Sequence, residues 1–250
     1  MHKGFAAAVA VAVVGLSAAG CGGRHQPWQS EDGRPAATAT TRLPYSGLPE
    51  VPERLGNDGT TIMVGDPAAP LTVHLYEDPR CPVCREFETT GGAPQLRAAT
   101  VRRETKTEYT LASFLDGRLG GSGSKKAVNA LRAALDAGKF AEYHDVLYAG
   151  QPDESIDGFT DAYLLKLAEK VPGLRGPAFD KAVKTMKYRS FVENAEDAYD
   201  HADVPGTPTA EIDDVRIPAQ YSGLIFNGKA FDKLLSEIRK DPAAWRDSAA

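Results

Sequence analysis

Cysteine is scarce in this 250-residue chain: Cys21, Cys81 and Cys84 are all there are. Three cannot build a disulfide scaffold of the kind that replaces a core in small secreted domains. Excess positive charge is lacking too. The 29 Lys and Arg stand against 34 Asp and Glu, for a formal net charge of -5. That leaves no basic footprint for nucleic acid and no cationic surface to hold anionic lipid by charge alone. No apolar run reaches the roughly 18 to 20 residues that a membrane-spanning helix needs. A Walker loop, a GxSxG elbow and an internal repeat are all missing. Gly120-Gly121-Ser122-Gly123 lacks dinucleotide spacing and reads as a turn. The acidic residues are dispersed and suggest no glycosidase pair. What is present, 42% hydrophobic and 25% charged residues, suits a soluble globular protein of one large domain or two small ones.

The N-terminus reads as an export signal. Lys3 gives a short positive region, Phe5 to Leu16 an apolar one, and Ala18-Ala19-Gly20 the small residues of a cleavage site. Residues 1–20 are thus expected to be a signal peptide. Cys21 then stands at the first mature position, as in a bacterial lipobox, and is the expected lipidation site. The match departs at Ala18, where lipoboxes usually carry Leu; Leu16 lies two residues too early. The expected location is extracytoplasmic, anchored to the outer face of the cell membrane through Cys21, with simple secretion as the alternative. Residues 21–58, rich in Gly, Pro, Ser and Thr, are expected to be a flexible tether.

Alternation then announces strands at Thr61–Val64, Leu71–Tyr76, Tyr109–Leu115 and Thr209–Ile212, with a hairpin turn at Asp213-Asp214 leading to Val215–Ile217. Helical spacing predicts Cys81–Thr90, a block of four helices over about 124–201, and Lys229–Lys240. In the block, Ser124 and Thr160 are the expected caps and Pro177–His201 the longest helix. Residues 59–241 form the expected domain and 242–250 a fraying tail. The order is strand, helix, strand, helical block, hairpin, helix, an α/β arrangement.

One chemical motif stands out. Cys81-Pro82-Val83-Cys84 follows an apolar strand and opens a helix. Bridging so short a loop constrains the unfolded chain by only about 2 kcal/mol, which argues for chemistry rather than stapling. Cys81 at a helix N-terminus gains from unpaired N–H groups and the helix dipole, which favour a thiolate. Arg80 and Arg85 are expected to add positive charge, with Glu77 and Asp78 opposing it. Cys84, one turn in, is expected to be more buried and less ionised. Cys81 is then the attacking sulfur and Cys84 the resolving one.

Tyr76 to Cys84, the later Gly206-Thr207-Pro208-Thr209 and the helices between them resemble the DsbA-like thiol-disulfide oxidoreductases of the thioredoxin superfamily over about Thr60 to Lys240. That resemblance implies a thioredoxin fold with an inserted helical block and an enzyme needing no cofactor. It implies a cis peptide before Pro208, and a backbone at Thr207 and Pro208 that pairs with client protein. The implied partners are exported cysteine-containing proteins and a membrane redox partner that recycles the dithiol. Electron flow is expected to favour oxidation of clients. Two departures stand out. The buried acid that several relatives carry six residues before the first cysteine is Leu75 here, with Glu77 as the candidate proton relay in its place. Pro-Val also lacks the histidine of strongly oxidising relatives. Two other classes compete: a non-catalytic binding module on the same fold, and a metal site using Cys81 and Cys84. The second lacks further ligands: there is no second CxxC or paired His, His74 lies on a strand and is expected to point away from the thiols, and His144 and His201 read as surface or satisfied core residues.

Overall fold

A computed structural model describes residues 42–247. The expected signal peptide and Cys21 lie outside the described residues.

Alternation places the central strand. Leu71, Val73 and Leu75 are at most 1% exposed, and their neighbours on either side extend the same buried layer. The strands are β1 (Glu53–Leu55), β2 (Ile62–Gly65), β3 (Leu71–Glu77), β4 (Thr105–Leu111), β5 (Thr209–Ile212) and β6 (Val215–Arg216). They form one sheet in the order β1-β2-β4-β3-β5-β6. β3 and β4 are parallel; every other pairing is antiparallel. The β3–β4 crossover carries α1 (Pro82–Thr89) and α2 (Ala93–Val101). Gly92 divides them. Its N–H donates to Ile225 O at 2.7 Å, and a Cβ there would meet the Phe231 ring at 2.5 Å, so only glycine lets this backbone approach so closely.

Between β4 and β5 lie α3 (Leu115–Leu119), α4 (Gly123–Asp136), α5 (Phe140–Ala149), α6 (Asp161–Ala168), α7 (Pro177–Lys184) and α8 (Arg189–His201). After β6 come α9 (Gly228–Lys240) and α10 (Pro242–Asp247). Among the described residues, no helix is long and apolar enough to cross a membrane.

Four expectations need correction. The tether ends early: Tyr45 N donates to Val101 O at 2.9 Å, and Glu53–Leu55 is an edge strand. Glu53 also accepts from Phe140 N (2.7 Å) and Ala141 N (3.0 Å), capping α5 from a distance. The fourth strand lies earlier than Tyr109–Leu115, because Thr105 and Thr107 take inward places beside Tyr109 and Leu111. The long helix is broken: Met186 has φ 48°. Buried Asn129 satisfies the freed groups, donating to Ala182 O and accepting from Tyr188 N. The tail does not fray at once, since Pro242–Asp247 is helical and Trp245 Nε1 donates to Ile212 O at 2.8 Å.

Candidate active site

The site sits where β3 ends and α1 begins. Cys81 is the N-cap of α1, and its Sγ accepts from Cys84 N at 3.4 Å. Pro82 follows at N1, where a missing N–H costs nothing. Both cysteines are free thiols. The Thr207–Pro208 peptide is cis, and the Cys81 thiol donates to Thr207 O at 3.3 Å. The structure therefore brings Cys81, Cys84, Thr207 and Pro208 together, although 126 residues separate Cys81 from Thr207.

The two thiols are driven apart. Cys81 falls from the ordinary 9.0 to about 6, chiefly through the hydrogen bond from the Cys84 thiol. Burial opposes this; Thr207 and the N–H groups of Cys84 and Val83 assist. Two contacts from Thr207 pull in opposite directions. Its carbonyl favours the protonated thiol, while its hydroxyl, buried and otherwise unpartnered, favours the thiolate. The net direction for Cys81 is downward, and the Cys84 hydrogen bond is its largest cause. Cys84 is 0% exposed, and burial pushes its thiol well above the ordinary value.

Positive side chains contribute less than the sequence suggests. Arg80 is buried and turned away: its guanidinium binds Asp116 (2.9 Å), Gly120 O (2.8 Å) and Glu154 O (2.9 Å). Its role is to pin loops of the helical block beside the site. Gln151 does the same, donating to Pro79 O (2.7 Å) and Cys81 O (2.9 Å). Ser124 is not the cap of α4. Asp116 accepts from the N–H groups of Ser124 and Lys125, both at 2.9 Å, and the Ser124 hydroxyl donates to Asp78 at 2.6 Å.

Glu77 and Asp78 are both 0% exposed, and they differ in company. Asp78 accepts from Arg80 N, Leu115 N and Ser124 Oγ. Burial still lifts its carboxyl to about 7. Glu77 faces a group that sequence reasoning missed. His144 Nε2 lies 3.0 Å from Glu77 Oε2, and His144 Nδ1 lies 3.8 Å from Glu88 Oε2. Arg97 donates to Glu88 Oε2 at 2.7 Å. Burial raises Glu77 and Glu88, each to about 8, and lowers His144. One signal for Glu88 was available: with Cys84 and Phe87 it completes the inward i, i+3, i+4 stripe of α1. The ligand atoms of Glu77, Glu88 and His144 lie within 4.8 Å of one another, close enough for a cation, but Arg97 already supplies positive charge there. Among the described residues, no close group of three such donors includes Cys81 or Cys84.

Beside Thr207 and Pro208 opens a cavity of about 360 Å³ lined by Val83, Pro205, Ala210, Ile217 and Phe226 among others. Val83, from between the cysteines, is 42% exposed at its edge.

A strand, a CxxC at the next helix's N-terminus and a cis-proline loop on the first sulfur define a thioredoxin fold; the helices after β4 make it the DsbA-like form. The family model described as Thioredoxin matches residues 57–225, and the chain belongs to that family. It is 23% identical over 181 residues to Disulfide bond formation protein D of Bacillus subtilis, covering 72% of this chain and 76% of that one. It is 32% identical over 152 residues to the serine/threonine-protein kinase PknE of Mycobacterium tuberculosis. That alignment covers 58% of this chain and 26% of the kinase, so the chain spans about a quarter of that relative's length. The crystal structure of oxidised BdbD from Bacillus subtilis superposes with a TM-score of 0.61 at 20% identity, over 80% of this chain and 100% of that one.

Proposed function

We propose that this chain is an exported thiol-disulfide oxidoreductase, with Cys81 as the nucleophile and Cys84 as the resolving cysteine. One observation carries the reading: a sulfur with a thiol lowered to about 6 lies 3.3 Å from the backbone of a cis-proline loop. A client thiolate attacks Cys81 in the disulfide form. Client and Cys81 join, and Cys84 leaves. A second client thiol then releases Cys81 and completes the client's disulfide. Thr207 and Pro208 present main chain to an extended client segment, and the adjoining apolar cavity receives its side chains. Glu77 is the candidate proton relay, buried and within electrostatic reach of Cys84.

Oxidation of clients is the favoured direction. A stabilised Cys81 thiolate stabilises the reduced protein and so makes the disulfide a better oxidant. The name of the Bacillus subtilis relative supports this. Lipidation at Cys21, attachment to the outer membrane face and a membrane partner that recycles the dithiol complete the proposal. Two measurements test it. Cys84→Ala should hold exported proteins as mixed disulfides through Cys81. Equilibration with glutathione should give a potential well above the value of about -270 mV for thioredoxin. A potential near that value would reverse the direction, and a reactive Cys81 that traps no client would remove the function.

A further inference from the structure

The cavity beside the cis-proline loop has the size of a small-molecule site. Its volume of about 360 Å³ falls in the range of roughly 300 to 1,000 Å³ that such sites occupy. Its wall is largely apolar, with Pro208, Ala210, Ile217, Ile225 and Phe226 contributing. Arg216 is the one charged residue of that wall, and Glu211 holds its guanidinium at 3.3 Å, so the cavity suits a neutral body. Val83 and Thr207 also line it. Val83 follows Cys81 by two residues, and the Thr207 carbonyl lies 3.3 Å from the Cys81 sulfur, so cavity and nucleophile adjoin. An unused donor stands at this junction. The Thr207 hydroxyl is buried, with no hydrogen-bond partner beyond the sulfur it assists.

We propose that the reduced protein consumes neutral organic hydroperoxides: the apolar body sits in this cavity, Cys81 attacks the terminal oxygen, and Cys84 closes the disulfide. The activity goes beyond thiol exchange and rests on the roles assigned above to the two sulfurs. Chemistry narrows the substrate. A thiolate at a helix N-terminus, with a resolving cysteine one turn away, is the arrangement in which a sulfenic acid forms and is then removed. A sulfur that binds its proton weakly is also a weaker nucleophile, so the sulfur alone gives no rate advantage. The gain comes from binding and from the donor. The cavity holds the apolar body next to the sulfur. The Thr207 hydroxyl donates to the departing oxygen as charge moves onto it. Hydrogen peroxide has no body to bind and keeps only the second contribution. Size also favours such a substrate. A protein client must lay a chain segment over Cys81, which is 6% exposed, whereas a small hydroperoxide need not.

The steps balance. The Cys81 thiolate attacks the proton-bearing oxygen; an S–O bond forms and the O–O bond breaks. Cys81 becomes a sulfenic acid, and the alkoxide takes a proton from water to leave as the alcohol. The Cys84 sulfur then attacks Cys81. The S–S bond forms, the S–O bond breaks, and hydroxide leaves with the Cys84 proton as water. Two electrons pass from the sulfur pair to the hydroperoxide. The products are the disulfide form, one alcohol and one water. The oxidising form of the protein is thereby restored without a membrane partner.

Quenched-flow thiol titration of the reduced protein at pH 8 tests the proposal, with cumene hydroperoxide and hydrogen peroxide as oxidants and N-acetylcysteine as the reference thiol. Per thiolate, Cys81 should react with cumene hydroperoxide about tenfold faster than N-acetylcysteine, or more. Two thiols should be lost for each alcohol formed. With hydrogen peroxide the advantage should be smaller by about threefold or more. No advantage over N-acetylcysteine overturns the activity, and an equal advantage for both oxidants overturns the role of the cavity. Thr207→Val should slow both reactions about fivefold. Cys81 stays ionised at this pH, so that loss reports the donor rather than titration, and unchanged rates overturn the donor. Ala219→Phe, at the cavity wall, should erase the preference for cumene hydroperoxide; a preference that survives it overturns the cavity's role. In C84S, dimedone should label Cys81 after hydroperoxide treatment, and the absence of label overturns the sulfenic step. Glutathione disulfide separates the two readings. If it oxidises the dithiol while hydroperoxides do not, this proposal alone falls; if neither does, the exchange reading falls with it.

Discussion

Cys81 and Cys84 share a helix turn, a peptide segment and a cluster with Tyr148, yet their thiols are pushed in opposite directions. Cys81 is the N-cap, reached by N–H groups of α1 and by the cis-proline loop. Cys84 is already inside the helix, with its own N–H spent on Cys81 and buried acids beyond it. The contrast follows from location along one turn, with one sulfur at the helix end and the other inside it.

Alkylation should expose the contrast most strongly. At pH 7, iodoacetamide should modify Cys81 in C84S on the order of 1,000-fold faster than Cys84 in C81S, from thiolate fraction and burial together. C84A should narrow the gap, because it removes the largest cause of the lowered Cys81 value, whereas the serine hydroxyl still donates. Comparable rates in C84S and C81S would erase the division of roles.

Stability should separate the redox forms next. In the reduced protein, Cys81 ionises near 6 when folded and near 9 when unfolded. Below pH 6 both states hold the proton and nothing is gained. Between pH 6 and 9 the unfolded chain holds more protons, so folding stability rises with pH; it is lost as pH falls through 6. The disulfide form has no such group, while the buried carboxyls are common to both forms. The full interval corresponds to about 4 kcal/mol, and solvent beside the sulfur reduces the expected gain to about 2 kcal/mol. Denaturant unfolding of both forms at pH 5.5 and 8.5 checks it. A difference that stays constant with pH would refute the low Cys81 value.

How much of this was legible follows from range. The CxxC, its strand and the cis-proline loop are local patterns, and each could be read in fewer than ten residues. Glu88 was written into the stripe of α1, but its meaning needed Glu77 from β3, Arg97 from α2 and His144 from α5. The break at Met186 depended on Asn129, a residue 59 positions before Tyr188. Glu53 looked like part of a polar leader until its carboxylate was seen on the first N–H groups of α5. In each miss, polar side chains complete an element far away in sequence, and hydrophobic periodicity carries no trace of them.

Thr207 should have a smaller effect. Thr207→Val removes the hydroxyl that assists the thiolate and leaves the carbonyl that favours the thiol. The alkylation midpoint of Cys81 should rise by about half to one pH unit, the size of one modest hydrogen bond. A midpoint that stays or falls would mean that the Thr207 hydroxyl does not support the thiolate.

Arg85 should matter least. It is exposed on α1, and Arg80, the other cation near the motif, is committed to Asp116 and two carbonyls. Arg80→Ala would leave Asp116 buried without its counter-charge, so its effect would mix folding with titration. Arg85→Ala avoids that. The Cys81 midpoint should rise by about 0.2 pH unit at 10 mM salt, where the Debye length is about 30 Å, and by nothing measurable near 1 M, where it is about 3 Å. A rise of a full unit that salt abolishes would transfer control of the sulfur from hydrogen bonds at the helix end to surface charge. The difference between Cys81 and Cys84 would then no longer follow from their places on one turn.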